Sequence, residues 1–243
     1  MQVKSAEGRA VALILAGCAM TFLSHSPVVA QNADMMQKLQ EIKASSAANK
    51  AALAHYTWQE TEAISLKGEV KKTTTYQVVV GPGGQQQKTE IGGSPAAAAP
   101  SGGKFKQRII AKKKEEYQEY GEQMSALAKQ YAQLDPQLLQ QAYQKGNISV
   151  LMGGAAGTMS LVIKNYIKPG DSMTLVVNQA TKAIQAVNVA TYLSGPSDAM
   201  TQATTFAKLP DGTNHVATVQ LNGVSKQLGV SIQNSNYQPA QAM

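Results

Sequence analysis

The side chains able to do chemistry are few and scattered. Apart from His25 near the N-terminus, the histidines are His55 and His215. Asp211 precedes His215 by four residues, a carboxylate within reach of an imidazole, but hydrolysis also needs an activated nucleophile and no motif presents one. Two histidines with no cysteine beside them fall short of a structural zinc site. Gly153-Gly154-Ala155-Ala156-Gly157-Thr158 has the glycine density of a phosphate loop. It lacks the Lys-Ser/Thr ending and runs into a strand pattern, so it reads as a hairpin loop. No cofactor motif and no catalytic residues emerge. The chain reads as a non-enzyme, with a hydrolase as the least favoured alternative.

The remaining candidates are basic and aromatic. Formal net charge is +7 over 243 residues, and Lys104, Lys106, Arg108, Lys112, Lys113 and Lys114 fall in a stretch that contains no acid. Glu115, Glu116, Glu119 and Glu122 follow at once. At the start of a helix this order opposes the macrodipole, and Lys112 to Glu116 runs in the weaker i,i+4 direction, so the run is not optimised for stability. It fits either a solvated face or a contact for phosphate head groups, an acidic partner or a membrane surface through residues 104–114. Nucleic acid is disfavoured, since no aromatic residues alternate with the cations. Trp58, the single tryptophan, stands beside Tyr56. Tyr117, Tyr120, Met124, Leu127, Tyr131 and Leu134 recur every three or four residues, one stripe of a helix, which reads first as core.

The elements that must position these groups begin after an export signal. Lys4 and Arg9 precede an apolar run from Val11 to Leu23, and Val28-Val29-Ala30 offers small residues to a signal peptidase, so residues 1–30 read as a signal peptide. Leu15-Ala16-Gly17-Cys18 also has the residue types of a lipobox, which makes Cys18 a candidate lipidation site and an outer-membrane lipoprotein the alternative to a periplasmic or secreted protein. Cys18 is the only cysteine, so residues 31–243 form no disulfide and are stabilised by packing alone. Removing Lys4, Glu7 and Arg9 with the leader leaves a net charge of +6.

Residues 31–243 read as a single domain. An alanine-rich helix is expected over about 32–54, then strands 56–66 and 69–80 around Lys67-Gly68, with a weaker strand at 85–91. Residues 81–103 hold seven glycines, three prolines and four consecutive alanines, the composition of a mobile loop inserted in the domain. A long helix follows, then Asp135-Pro136 as cap and first-turn proline of a short helix ending at Gly146-Asn147. From Asn147 the period becomes two, with turns at Lys168-Pro169-Gly170-Asp171, Asn178–Lys182, Pro210-Asp211-Gly212 and Asn222-Gly223, an antiparallel meander of about seven strands. The fold class is therefore α+β, a large curved antiparallel sheet covered by amphipathic helices.

This order of elements resembles the half-barrel shared by the lipoprotein carrier LolA, its receptor LolB and the sensor RseB. The strings Asn165–Ser172 and Leu209–Asn214 also resemble uncharacterised secreted bacterial proteins. The resemblance implies an apolar cleft between sheet and helices that takes an apolar or amphiphilic ligand or an acylated protein. Trp58, Tyr117, Tyr120 and Met124 are then the candidate lining residues, with Lys112, Lys113 and Lys114 as head-group contacts. The alternative is a structural or protein-interaction component of the envelope with a filled core. No cofactor is expected, and oligomeric state leaves no trace in the sequence.

Overall fold

Lys67 and Gly68 both take positive φ, 55° and 82°, the conformation a two-residue hairpin needs, and they join β1 (Tyr56–Leu66) to β2 (Glu69–Val80). The computed structural model describes residues 27–94, 104–152 and 155–240, with side chains from residue 35 in the first helix and from residue 107 in the second. Most of the expected leader, with Cys18, and residues 95–103 of the expected loop lie outside the described residues. Two units are separable: Met1–Gln37, and Lys38–Met243, which carries the sheet.

After α1 (Pro27–Leu53), β1 and β2 come β3 (Gln86–Gly93), α2 (Lys104–Ala132), α3 (Pro136–Gln144) and seven further strands: β4 (Ile148–Met152), β5 (Thr158–Lys164), β6 (Ser172–Asn178), β7 (Ile184–Tyr192), β8 (Ala199–Lys208), β9 (Asn214–Gly223) and β10 (Leu228–Pro239). They form one open antiparallel sheet in the order β3-β2-β1-β10-β9-β8-β7-β6-β5-β4. The α+β class expected from the pattern, a large antiparallel sheet with helices, is thus the observed one.

Three local expectations shift. The first helix begins at Pro27, inside the segment assigned to the leader. The glycine-rich segment is a strand over residues 86–93, exposed throughout because it is the sheet's edge, so a mobile loop over all of 81–103 does not describe it. Asn222-Gly223 is not a turn: both residues are in β9, and the chain reverses over residues 224–227, where Gln227 takes φ 49°.

The topology assigns α2 its task. The chain leaves the sheet at one edge, β3, and re-enters at the other, β4, so the helical segment must cross the sheet. Nine strand spacings of about 4.8 Å come to about 43 Å, and the 29 residues of α2 at 1.5 Å each reach about as far. The covered face is apolar at alternate positions, with Met159, Leu161 and Ile163 on β5 opposite Met173, Leu175 and Val177 on β6 all buried. From α2, Tyr120, Met124, Leu127, Ala128 and Tyr131 are buried, so the tyrosine and methionine stripe is core, as its spacing predicts. At about 25 cal/mol per Å2, burial of such large side chains dominates the hold of a strap like α2.

Because the strands form a meander, their connections fall alternately at two ends of the sheet. One end carries the loop at 165–171 and the turns at 193–198 and 224–227. The other carries the turns at 179–183 and 209–213 and the start of β1. The second half of α1 is tied to that second end: Asn49 exchanges hydrogen bonds with the backbone of Asn214 at 2.5 and 2.6 Å, and Ser45 donates to the Thr181 carbonyl at 3.3 Å.

Candidate functional site

The loop Asn165–Asp171 is built around one carboxylate. Asp171, buried, accepts from the backbone N–H of Tyr166 at 2.6 Å, Ile167 at 2.9 Å and Lys168 at 2.8 Å. Asn165 at φ 51° and Gly170 at φ 83° make the reversals, and the Asn165 side-chain oxygen accepts from Gly170 N–H at 2.7 Å. Onto this loop α2 lowers its last turns. The Tyr131 hydroxyl donates to Asp171 Oδ2 at 2.5 Å, and with its proton engaged there the Thr191 hydroxyl, 2.8 Å away, donates to it in turn. Burial, then the bond to the Asp171 carboxylate, pushes the Tyr131 phenol well above its ordinary value. Tyr166 accepts from Asp135 N–H at 2.8 Å, which clamps the α2–α3 junction, and Asp135 caps α3 by accepting from Gln137 N–H at 2.7 Å.

Eleven residues upstream a second phenol meets a second carboxylate. Tyr120 donates to Asp198 Oδ1 at 2.8 Å, and Ser225 and Ser194 donate to the same carboxylate at 2.6 and 3.0 Å. Partial burial works to raise the Asp198 carboxyl, but the bonds from Ser225, Tyr120 and Ser194 outweigh it and hold the group below its usual range. Tyr120 and Met124 fill a notch at Gly223, where an added Cβ would lie 2.5 Å from the Tyr120 ring and hydroxyl and 2.8 Å from the Met124 sulfur. Met200, fully buried, is the cross-strand neighbour of Gly223.

The candidate residues are not brought to one place. Tyr120 and Met124 sit over the last residue of β9, with Tyr117 half-buried under the Lys226 ammonium, 5.8 Å from its ring. Trp58 stacks on Tyr237 at 5.4 Å, and Tyr237 lies against His215 at the beginning of β9. Eight residues of strand separate His215 from Gly223, roughly 26 Å. Trp58 is buried, and its indole Nε1 has no partner among the described residues. Lys112, Lys113 and Lys114 are exposed on the upstream half of α2.

His215 and Asp211 do not form a pair. Asp211 accepts from the Tyr56 hydroxyl at 2.6 Å and from Thr213, whereas His215 Nδ1 lies 3.1 Å from the Val216 carbonyl. Among the described residues no cluster of histidine, cysteine or carboxylates could hold a metal. Two open clefts flank α2, one of about 190 Å3 between Glu116, Tyr120 and Lys226 and one of about 310 Å3 between Leu127, Lys168 and Leu193. The first is below and the second close to the lower limit for a small-molecule site, about 300 Å3.

Sequence reasoning missed Asp171, Asp198, Gly223 and Met200. The turn string around Asp171 and the stripe containing Tyr131 were both legible. Nothing local says that one grips the other.

The sequence matches no protein-family model and no curated protein. Among solved structures the chain is similar to a DUF1329 family protein from Desulfovibrio piger ATCC 29098, at 10% identity and a TM-score of 0.38 over 84% of this chain and 93% of that one. It is also similar to the LolA superfamily protein NE2245 from Nitrosomonas europaea, at 10% identity and a TM-score of 0.33 over 77% of this chain and 86% of that one.

Proposed function

We propose that this is an exported, non-enzymatic envelope protein that binds an apolar or amphiphilic ligand, or the acyl chain of an acylated protein, on the covered face of its sheet, in the place now held by α2. The observation that carries the reading is the seating of Met124. It is a flexible, polarisable side chain, fully buried in the glycine notch at Gly223 beside Met200, with Met159 and Met173 buried on the same sheet. Methionine-rich surfaces repack around varied apolar partners. The helix above is tethered near its middle by a polar contact at the sheet's end, Tyr120 to Asp198, which water can replace.

The test is titration of the full chain with a fluorescent fatty acyl probe. Burying about ten methylenes at about 0.8 kcal/mol each offsets immobilisation and the loss of α2 contacts, so micromolar binding is expected. Met124→Asp should abolish it. Absence of binding by a folded chain rejects the reading.

The second reading, a structural or interaction component with no small ligand, is favoured by the same face being filled and by the two clefts beside α2 being open and small. Export rests on the leader alone. Mature protein beginning at Gln31 would support it, and acyl labelling lost in Cys18→Ala would make the protein a lipoprotein instead.

A further inference from the structure

The two halves of α2 have different surroundings. From Tyr120 onward one face is buried on the sheet, whereas residues 107–116 are exposed except for a half-buried Ile110. The stripe itself does not stop. Counting back from Met124 and Tyr120 at helical spacing gives Tyr117, Lys113, Ile110 and Ile109, and Ile109 is 44% exposed. Lys112 and Lys114 border it, Arg108 lies on the far side, and neither these nor Lys113 make an ion pair among the described residues. Glu115, Glu119 and Glu122 fall on the opposite side of the helix, and Glu116, at the edge of this face beside Lys112, is engaged by Lys226 at 3.7 Å. Cations at a helix N-terminus are electrostatically unfavourable, so folding gains nothing from this arrangement.

The geometry points to an anionic bilayer surface as the partner of the upstream half of α2, engaged through the face that the downstream half presents to the sheet. Exposed isoleucine amid lysines is the chemistry of an interfacial helix, which sinks its apolar side to the acyl boundary and places its cations among anionic head groups. An acidic protein would match the charges but leave Ile109 unexplained. The shared face has a mechanical consequence. A helix cannot lie flat on a bilayer along a face whose other half is covered by the sheet, so full docking requires Tyr120 and Met124 to leave the notch at Gly223. The Tyr131 anchor to Asp171, farthest from the basic end, is the last contact to yield. Bilayer docking and exposure of the inner face are therefore coupled; the coupling deepens the ligand-binding reading and rests on it for its purpose.

The experiment is co-sedimentation of the full chain, without acyl probe, with vesicles of phosphatidylcholine alone and of phosphatidylcholine mixed with phosphatidylglycerol. Binding to the mixed vesicles only, weakened by salt, is expected. Lys112→Glu, Lys113→Glu and Lys114→Glu together should reduce it more than about tenfold, each cation near an anionic surface being worth about fivefold. Tyr120→Phe removes the bond to Asp198 at no change in charge and should strengthen vesicle binding about fivefold, because sheet and bilayer compete for one face. Equal binding to both vesicles, no binding, or indifference to the triple variant overturns the docking. Tyr120→Phe that leaves binding unchanged or weaker overturns the coupling. Probe binding without vesicles is a separate readout, so failure of the ligand reading is seen independently.

Discussion

The Tyr131 hydroxyl donates to Asp171 Oδ2 at 2.5 Å with both residues buried, and so joins the end of α2 to a loop forty residues away. Tyr131→Phe removes this donor and leaves the carboxylate three backbone N–H groups. A bond to a charged group is worth about 1.5–3 kcal/mol, and thermal unfolding should show a loss in that range. Asp171→Ala strips partners from three buried N–H groups as well, so its cost should exceed that of Tyr131→Phe; an equal or smaller cost would show that the loop does not depend on the carboxylate.

Gly223→Ala tests the notch. Its Cβ would lie 2.5 Å from the Tyr120 ring, and since the backbone there has no positive φ, strain arises from contact alone. Overpacking of this kind costs about 1–3 kcal/mol, expected as a lower denaturant midpoint. If α2 is the occupant that a ligand displaces, the same variant should bind the acyl probe more tightly.

Trp58 and Met124 should separate cleanly. Trp58 is at the far end of the sheet from Met124, so Trp58→Phe should leave acyl-probe affinity within about twofold, whereas Met124→Asp abolishes binding. Loss of binding in Trp58→Phe with the fold intact by circular dichroism would place the ligand at the other end.

Asp198 gives a pH dependence of known sign. Its folded-state value is held below the unfolded one by bonds from Ser225, Tyr120 and Ser194, so its contribution is full at neutral pH and is lost as pH falls through the folded value. The melting-temperature difference between the parent and Asp198→Ala should be constant above about pH 5 and shrink toward about pH 2. A difference that grows on acidification would reverse the assignment.

Gly170→Ala places a side chain at φ 83° in the Asp171 loop. A loss of about 1 kcal/mol is expected from that backbone alone, since nothing crowds an added Cβ there.

Elements with a local cause were legible in the sequence. The alternation along β5 to β7, the three-four spacing of Tyr120, Met124, Leu127 and Tyr131, the Asp135-Pro136 start of α3 and the Lys67-Gly68 turn all depend on neighbours within about four residues, and each stands where the pattern puts it. Tertiary structure decided the rest. Gly223 carries the same letter whether it bends the chain or makes room for Tyr120, and only the helix laid over it distinguishes the two. Tyr131 and Asp171 were each visible, one in a stripe and one in a turn, but a bond across forty residues leaves no periodic trace. Trp58 and Met124, both credible lining residues by type, are parted because an antiparallel strand carries its two ends to opposite ends of the sheet. Side-chain type and short-range spacing are written in the chain; which groups meet depends on strand order and on the path of α2 across the sheet, and those are set by burial of the whole apolar face at once.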